Sequence, residues 1–377
     1  MTDYRCIAAL FSLLLCTLTG CAATLQSSPL PEGFTVRNFA RIDAGAPFAV
    51  NRTGAVAAVA EGTLKVIDPS GGPGLSIAPA PATALCFSPG GERLAAAFAT
   101  TDQSLLRLFD LQGKVLAELA IPGRVTSIAW RSENELLATV LVLKKYSFGT
   151  ELTARLYRWN GAAPPVVTTL SDVTVRPHVA RLPEETLFGS LSLAVSPYGD
   201  EIAYSTLKDP PLFTPYLRIA VRHLESGAER DVAKIATGSG GPLYAPDGES
   251  LLVGDSQALS RRMSLPDGKE LDAWPVPGDH LALSPSGSYI LLDGRLYQGD
   301  RELVSFPQHA TGAFLPDGSG LAISHEGTLF LVTGLTDPQR PKLPVNLERL
   351  LELRRLRMLG LISDKEFKAQ KAKVSAR

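Results

Sequence analysis

The chain has 377 residues, of which 45% are hydrophobic and 20% are charged, and its formal net charge is −1. This composition excludes an intrinsically disordered chain, and it excludes a protein that holds nucleic acid by bulk positive charge. The 33 glycines and 28 prolines are spread along the chain rather than gathered in one linker. They indicate frequent, regular turns, as expected for a fold built from repeats.

The N-terminus has the pattern of a secretion signal. Arg5 precedes an uncharged run over residues 6–19, which is too short to span a bilayer as a stable helix. The run leads into Leu18-Thr19-Gly20-Cys21, followed by a polar stretch that contains prolines. This segment resembles the lipoprotein box of bacterial lipoproteins, in which the leader is cleaved before the cysteine and the thiol is acylated.

The resemblance implies a signal peptide over residues 1–20, cleavage between Gly20 and Cys21, and fatty acyl chains such as palmitate on Cys21. It implies a lipid-anchored protein of the cell envelope, and the uncharged Ala22 implies the outer membrane, with the protein facing the periplasm. The alternatives are an ordinary secretory signal with a coincidental cysteine, and a cytosolic protein with a buried N-terminal helix. Residues 21–33 would be the tether between the anchor and the folded domain.

Cysteine usage agrees with this interpretation. Cys6 and Cys16 would leave with the signal and Cys21 would be acylated, so Cys86 alone would remain and no intramolecular disulfide could form. Cys86 stands between Leu85 and Phe87 in an apolar run, where a single thiol is usually packed in the core.

One sequence pattern recurs from Phe48 onward: an apolar strand, a tight turn and a second apolar strand. Proline presets φ at the first corner of such a turn, and glycine accepts the positive φ at its end. Five copies keep the proline: Ser88-Pro89-Gly90-Gly91, Ser196-Pro197-Tyr198-Gly199, Ala245-Pro246-Asp247-Gly248, Ser284-Pro285-Ser286-Gly287 and Leu315-Pro316-Asp317-Gly318. Two degenerate copies lack it, Asn51-Arg52-Thr53-Gly54 and Arg131-Ser132-Glu133-Asn134, and bring the number to seven.

The copies follow one another at intervals of 31 to 65 residues, near the ~40 to 50 residues of a four-stranded propeller blade. The recurring sequence pattern resembles the Pro-Asp-Gly repeat of TolB-type and WD40-like propellers, and the resemblance covers residues 34–333. We therefore predict an all-β fold, a seven-bladed β-propeller. The last copy has three strands, so residues 34–42 are predicted to add its missing outer strand and close the ring. A β-sandwich and an open β-solenoid are the structural alternatives.

Antiparallel strands divide the connections of such a ring between two faces. The turn face carries the first-to-second and third-to-fourth turns of each blade, including every Pro-Asp-Gly turn. The loop face carries the second-to-third turns and the connections between blades. The connections that are longer than those of the other blades lie on the loop face, over residues 144–150, 171–190 and 208–214.

These stretches predict a binding rim at the third and fourth blades, because aromatic and cationic residues on loops of a rigid scaffold are typical of recognition surfaces. The alternative is that they are tolerated insertions whose apolar residues pack locally. The candidate rim residues are Lys144, Lys145, Tyr146, Phe148, Arg176, His178, Phe188, Phe213 and Tyr216.

The chain has no recognisable catalytic or metal-binding motif. Its histidines, at 178, 223, 280, 309 and 325, are too scattered to predict a metal site, and no Gly-x-Ser-x-Gly elbow is present. Gly238-Ser239-Gly240-Gly241 lacks the lysine and the helix of a phosphate loop, and is interpreted as a connection between blades. We therefore predict no catalytic residues, no metal and no cofactor.

The C-terminal segment changes from strand to helix. Residues 334–344 contain prolines and are predicted to be a linker. From residue 345 onward leucines recur at helical spacing as far as Gly360; Ser363 and Glu366 then form a capping box, and Ile362 is placed to staple onto Phe367.

Residues 345–377 therefore form a predicted helical hairpin, which resembles the short C-terminal module abbreviated SHOCT, a family thought to mediate association. The segment carries nine Lys or Arg and four Asp or Glu. Its leucine stripe must be covered by a propeller surface, a second copy or a partner, because so short a segment cannot bury it alone. Self-association is favoured over contact with anionic lipid, and nucleic acid is not expected as a partner.

The sequence thus predicts an envelope lipoprotein that binds a protein, peptide or glycan without catalysis. The alternatives are a hydrolase or lyase that uses the central channel, and a structural accessory subunit of an envelope complex.

Overall fold

The computed structural model describes most of the chain from residue 25 onward. The described residues are 25, 29–70, 74–78, 80–100, 103–147, 149–176, 183–210, 214–236, 240–255, 259–265, 268–278, 280–336, 349, 352–353, 356–357 and 362–375. They form a seven-bladed β-propeller in which each blade is a four-stranded antiparallel sheet. The predicted signal peptide over residues 1–20, Cys21 and residues 337–344 of the predicted linker lie outside the described residues.

The strands follow the chain from the inner to the outer edge of each blade. The first blade comprises β2 (Phe48–Val50), β3 (Val56–Ala60), β4 (Thr63–Ile67) and β5 (Leu75–Ala78). The second comprises β6 (Ala84–Phe87), β7 (Arg93–Ala99), β8 (Gln103–Asp110) and β9 (Val115–Pro122). The third comprises β10 (Arg124–Ser132), β11 (Glu135–Tyr146), β12 (Gly149–Trp159) and β13 (Val166–Val175).

The remaining blades repeat this order. The fourth comprises β14 (Leu193–Val195), β15 (Glu201–Lys208), β16 (Tyr216–His223) and β17 (Glu229–Ala236). The fifth comprises β18 (Leu243–Tyr244), β19 (Ser250–Gly254), β20 (Ser260–Ser264) and β21 (Glu270–Trp274). The sixth comprises β22 (Leu281–Leu283), β23 (Tyr289–Leu292), β24 (Arg295–Gln298) and β25 (Arg301–Ser305).

The seventh blade is built from both ends of the ring and confirms the predicted closure. It comprises β26 (Thr311–Phe314), β27 (Gly320–His325), β28 (Thr328–Thr333) and, as its outer strand, β1 (Thr35–Arg41). β1 runs antiparallel to β28, with Thr35 opposite Thr333 and Arg41 opposite Thr328. The N-terminal strand β1 is therefore the outer edge of the seventh blade, and both the start of β1 and the end of β28 lie at the turn face.

The seven repeated turns are the first-to-second turns of the seven blades, as predicted. Six of them end in a glycine with φ between +65° and +88°, whose N–H donates to the carbonyl three residues earlier at 2.8–3.1 Å. In the three Ser-Pro copies the buried serine hydroxyl also accepts an N–H from the second strand; Ser284 Oγ accepts from Tyr289 at 3.0 Å. These serines recur because they satisfy backbone donors at the strand entry.

The core lies between neighbouring blades, so the second strands are buried on both faces. All five residues of β3, Val-Ala-Ala-Val-Ala, are buried, and so are those of β19 and β23. This explains why these segments are nearly continuous apolar runs without polar alternation. Cys86 in β6 packs, partly buried, against the cluster that contains Val125 and Trp130, and burial raises the pKa of its thiol.

The third blade differs from the sequence expectation. Residues 144–150 were expected to form a loop, but β11 continues to Tyr146 and β12 begins at Gly149, where the two residues pair. β11 has 12 residues, whereas the second strands of the other blades have four to eight. At ~3.3 Å per residue, β11 is roughly 13 Å longer than its longest counterpart, and the added residues extend toward the loop face.

Two helices are described. α1 (Glu184–Gly189) lies in the connection between the third and fourth blades, and α2 (Asp364–Ser375) is the second helix of the predicted hairpin. The capping box at the start of α2 is confirmed: Ser363 N–H and Oγ–H donate to Glu366 Oε2 at 2.8 and 2.7 Å, and Glu366 N–H donates to Ser363 Oγ at 3.3 Å. Most of the first predicted helix lies outside the described residues. In the described part of the chain, no helix is long and apolar enough to span a membrane.

Candidate binding surfaces

The candidate rim on the loop face is joined across the third and fourth blades by charged contacts. Lys145, at the end of β11, lies 3.0 Å from Glu184 in α1. Tyr146 donates its hydroxyl to Glu151 Oε2 at 2.7 Å, and the ammonium of Lys144 lies 5.2 Å from the centre of the Tyr146 ring. The hydrogen bond to Tyr146 and the charge of Glu151 raise the pKa of Lys144. This part of the rim is exposed to solvent and displays an aromatic ring beside the ammonium of Lys144.

Arg176 has a different environment from the exposed lysines. Its Nε donates to Asp209 Oδ1 at 2.8 Å and its backbone N–H donates to Asp209 Oδ2 at 2.7 Å, while Nη2 also contacts Oδ1. The carboxylate of Asp209 is fully buried, and its hydrogen bonds raise the pKa of Arg176. Arg176 therefore fastens the connection after β13 to the segment after β15, which makes it a positioning residue of the rim.

The rim residues Phe188 and Tyr216 are less exposed than Tyr146. Phe188 in α1 is partly buried against the core of the third and fourth blades, and the guanidinium of Arg124 stacks on its ring at 4.4 Å. Tyr216 at the start of β16 is partly buried beneath the ammonium of Lys234, at 5.2 Å. Phe148, His178 and Phe213 lie outside the described residues. Glu184, Arg124 and Asp209 also make contacts within this region, although no pattern in the sequence marks them.

A second feature of the loop face is a cleft of about 550 Å³ at the mouth of the central channel. Its walls are the beginnings of inner strands and the second-to-third turn of the seventh blade, and they bring together three histidines that are far apart in the sequence. His280 precedes β22, His309 precedes β26 and His325 ends β27. Their spacing in the sequence gives no sign of this proximity, although strand order alone assigns all three to the loop face.

His309 and His325 contact acidic residues at this cleft. Among the described residues, no group of three His, Cys, Asp or Glu side chains is arranged to hold a metal ion. His309 has a φ of +63°, and its N–H donates to the buried Asp293 Oδ1 at 3.3 Å. His325 Nε2 lies 3.9 Å from Glu326 Oε1. The cleft thus offers imidazoles, hydroxyls and one carboxylate for polar contacts with a ligand.

The turn face carries the C-terminal helix. Lys368 in α2 lies 3.0 Å from Glu225, which belongs to the third-to-fourth turn of the fourth blade. The apolar side of the module forms its own small cluster, in which Leu353, Phe367 and Val374 are buried and Ile362 packs against them. The helix therefore contacts the ring on the side opposite the candidate rim.

Comparisons with known proteins agree with this architecture. No protein-family model matches the chain, and no curated protein matches its sequence. The β-propeller domain of Cps50 (Swd1) from Myceliophthora thermophila is 18% identical, with a TM-score of 0.56, over 80% of this chain and 99% of that domain. Hydrazine synthase from Kuenenia stuttgartiensis is 12% identical, with the same TM-score of 0.56, over 78% of this chain and 97% of the matched chain. At these identities the likeness concerns the fold alone, and the chain shares the β-propeller fold with both.

Proposed function

We propose that this protein is a lipid-anchored envelope protein whose propeller binds a protein, peptide or glycan partner through its loop face, without catalysis. The observation that carries the proposal is the direction of the chain at the seventh blade. β1 begins, and β28 ends, at the turn face. A membrane anchor before β1 would therefore lie on the turn-face side, and the loop face would point away from the bilayer toward a partner.

The position of Leu25 limits the distance between the proposed anchor and the ring. Leu25 is 3% exposed and belongs to the core cluster of the sixth and seventh blades. Cys21 precedes it by four residues, a span of at most ~14 Å in an extended chain. Acylated at Cys21, the ring would rest close to the membrane surface, because stable anchoring requires only buried acyl chains.

The loop face combines the two properties expected of a recognition surface. The long β11–β12 hairpin reaches the loop face, where it displays Lys144, Lys145 and Tyr146 with their side chains exposed. Behind it, Arg176 and Asp209 hold the adjacent connections in place. Exposed cationic and aromatic groups on a rigid support give a partner specific contacts at a low cost in conformational entropy.

A crosslinking pull-down from envelopes tests the binding surface. We expect the triple variant K144A/K145A/Y146A to lose at least tenfold in partner recovery, because it removes two cations and the exposed ring. The matched control is V166A/V167A, which truncates exposed side chains of the same blade near the turn face; it should retain recovery within about twofold. Equal recovery with both variants would contradict the proposed surface.

The alternative function is a hydrolase or lyase that uses the cleft at the channel mouth. The observation that favours it is the convergence of His280, His309 and His325 with Glu326 in one cleft, since imidazole and carboxylate groups can act as general acids and bases. A hydrolytic or eliminating activity of the purified protein that is lost in H325A would establish this function and overturn the non-enzymatic proposal.

A further inference from the structure

The exposed apolar side chains of the ring are concentrated at one position of the blades. Seven large hydrophobic side chains are exposed among the described residues, and six of them stand in the first two positions of an outer strand. These six are Leu75, Val115, Leu116, Val166, Val167 and Leu271. Outer strands begin at the third-to-fourth turns, so all six lie at the outer border of the turn face. Single apolar residues scattered over a surface would not collect at one end of one strand.

Five of the six lie on three consecutive blades and form a continuous band. The third-to-fourth turn of the second blade packs against the first blade, since a Cβ atom on Gly113 would lie 3.5 Å from the Cα of Ile77. The same turn of the third blade packs against the second, since a Cβ on Gly161 would lie 3.6 Å from the Cβ of Ala117. The apolar border is the name used below for Leu75, Val115, Leu116, Val166 and Val167.

Most charges beside the apolar border are compensated within the ring. Asp110 Oδ1 accepts two backbone N–H groups of its own turn, one of them that of Lys114 at 2.8 Å. Arg107 Nε donates to Glu118 Oε2 at 2.7 Å. The turn of the third blade, over residues 160–165, carries no charged side chain and exposes alanine and proline. The cost of moving this border out of water is therefore low.

The apolar border starts beside β1, the strand that follows the proposed anchor. Arg37 in β1 donates through Nη2 to the carbonyl of Pro69 at 2.5 Å, in the third-to-fourth turn of the first blade. Leu75 follows that turn directly. Before β1 the chain is buried at Leu25, four residues after Cys21, so the acylated residue would lie within ~14 Å of the ring. The anchor and the apolar border would thus share the turn-face side.

We propose that the apolar border inserts into the headgroup and upper acyl region of the membrane that carries the anchor. This inference rests on the proposed anchor, because the anchor brings the turn face to the bilayer. Aliphatic side chains are stabilised there in proportion to the apolar area that leaves water. The acyl chains supply the affinity. The border, on the first three blades, adds a second contact away from Leu25 at the sixth and seventh blades, and so fixes the orientation of the ring.

Fluorescence quenching in vesicles tests the proposal on the acylated, full-length protein. The variant L116C, in the C86A background, is labelled with the fluorophore NBD, while the thiol of Cys21 is blocked by acylation. We expect phosphatidylcholine brominated on its upper acyl carbons to quench the emission about twofold relative to unbrominated lipid, because the label enters the acyl region. The matched control Q103C lies at the start of β8, on the loop face of the same blade, and its emission should stay unchanged.

A second variant removes the apolar character of the border and keeps the strands. V115T/V166T/V167T introduces β-branched residues of similar shape, which suit strands, and it should abolish most of the quenching of the L116C label. Equal quenching with and without these substitutions overturns the proposal. So does a dimer in sedimentation that they convert to a monomer, with the label unquenched, because a second copy then covers the border. Protein that does not float with the vesicles overturns the anchor, whereas floating protein with an unquenched label overturns the border contact alone.

Discussion

Glu225 is the residue at which the C-terminal module and the ring meet. Lys368 donates to its Oε2 at 3.0 Å, and Arg131 and Arg357 face the same carboxylate. The hydrogen bond from Lys368, with the charges of these arginines, lowers the pKa of Glu225 below its usual 4.5. A lowered pKa means that the folded, docked form favours the ionised carboxylate.

This shift predicts how docking depends on pH. The contribution of Glu225 is complete above pH 4.5 and is lost as the pH falls through the lowered pKa of the docked form. We expect hydrogen exchange in α2, corrected for its intrinsic rate, to accelerate severalfold on acidification below pH 4.5 in the natural protein. In E225Q it should already be fast at pH 7 and should show much less pH dependence.

E118Q is the matched control, because it removes a carboxylate that is paired with Arg107 on the second blade. Exchange in α2 that is as slow in E225Q as in E118Q would show that the module is held without this contact. The capping box of α2 was predictable because its partners are three residues apart. The Lys368–Glu225 pair was not predictable, because 143 residues separate two charges that have no distinguishing local pattern.

At the scale of the element, the turns were predictable and the packing between blades was not. Proline and glycine define a turn within four residues, so five of the seven first-to-second turns could be located from these residues, and the two copies without proline from the apolar strands that flank them. The extension of β11 through Lys144, Lys145 and Tyr146 was missed because exposed polar residues at the tip of a hairpin resemble a loop. The contact between Arg124 and Phe188 could not be predicted, because the two residues are far apart in the sequence and only the folded ring brings them together.

Gly254 and Gly278 show how tightly the fifth blade meets the connection that follows it. A Cβ atom on Gly254 would lie 2.0 Å from the carbonyl oxygen of Gly278, and one on Gly278 would lie 2.3 Å from the Cα of Gly254. Only two glycines allow the backbones to approach so closely.

We therefore expect G254A to lower the free energy of unfolding by about 2–3 kcal/mol, the usual cost of forcing an extra methyl group into packed structure. Urea denaturation provides the measurement. The control is G189A at the end of α1, where a Cβ would meet nothing within 4 Å; it should be neutral or slightly stabilising. A G254A protein as stable as G189A would show that the two segments can separate without cost.

At the scale of the whole molecule, the two faces of the ring carry different features. The start of β1, the end of β28 and the contact with the basic C-terminal module lie at the turn face, and the loop face holds the candidate rim and the channel-mouth cleft. The sequence predicted the ring and its closure, because counting strands per repeat left one blade a strand short. It did not predict the side on which the C-terminal module lies, which depends on contacts between distant surfaces.

The proposed anchor makes a direct prediction for cells. We expect C21A to incorporate no labelled palmitate and to move from the membrane fraction to the soluble fraction at physiological salt, because the acyl chains supply most of the membrane affinity. C86A is the control, since Cys86 packs in the ring and should leave labelling and fractionation unchanged. Labelling that persists in C21A would overturn the lipoprotein assignment.

The pairing of β1 with β28 also determines when the molecule can finish folding. Thr35 and Thr333 share a hydrogen bond although 298 residues separate them along the chain. Contacts of such long range form late, because the whole intervening chain must first be ordered. Until β28 is made, β1 has no partner and the outer edge of the seventh blade stays open to pairing with other chains. The first strand to be synthesised is thus the last to be placed, so a chain that stops before Thr328 would retain six blades and an unpaired β1.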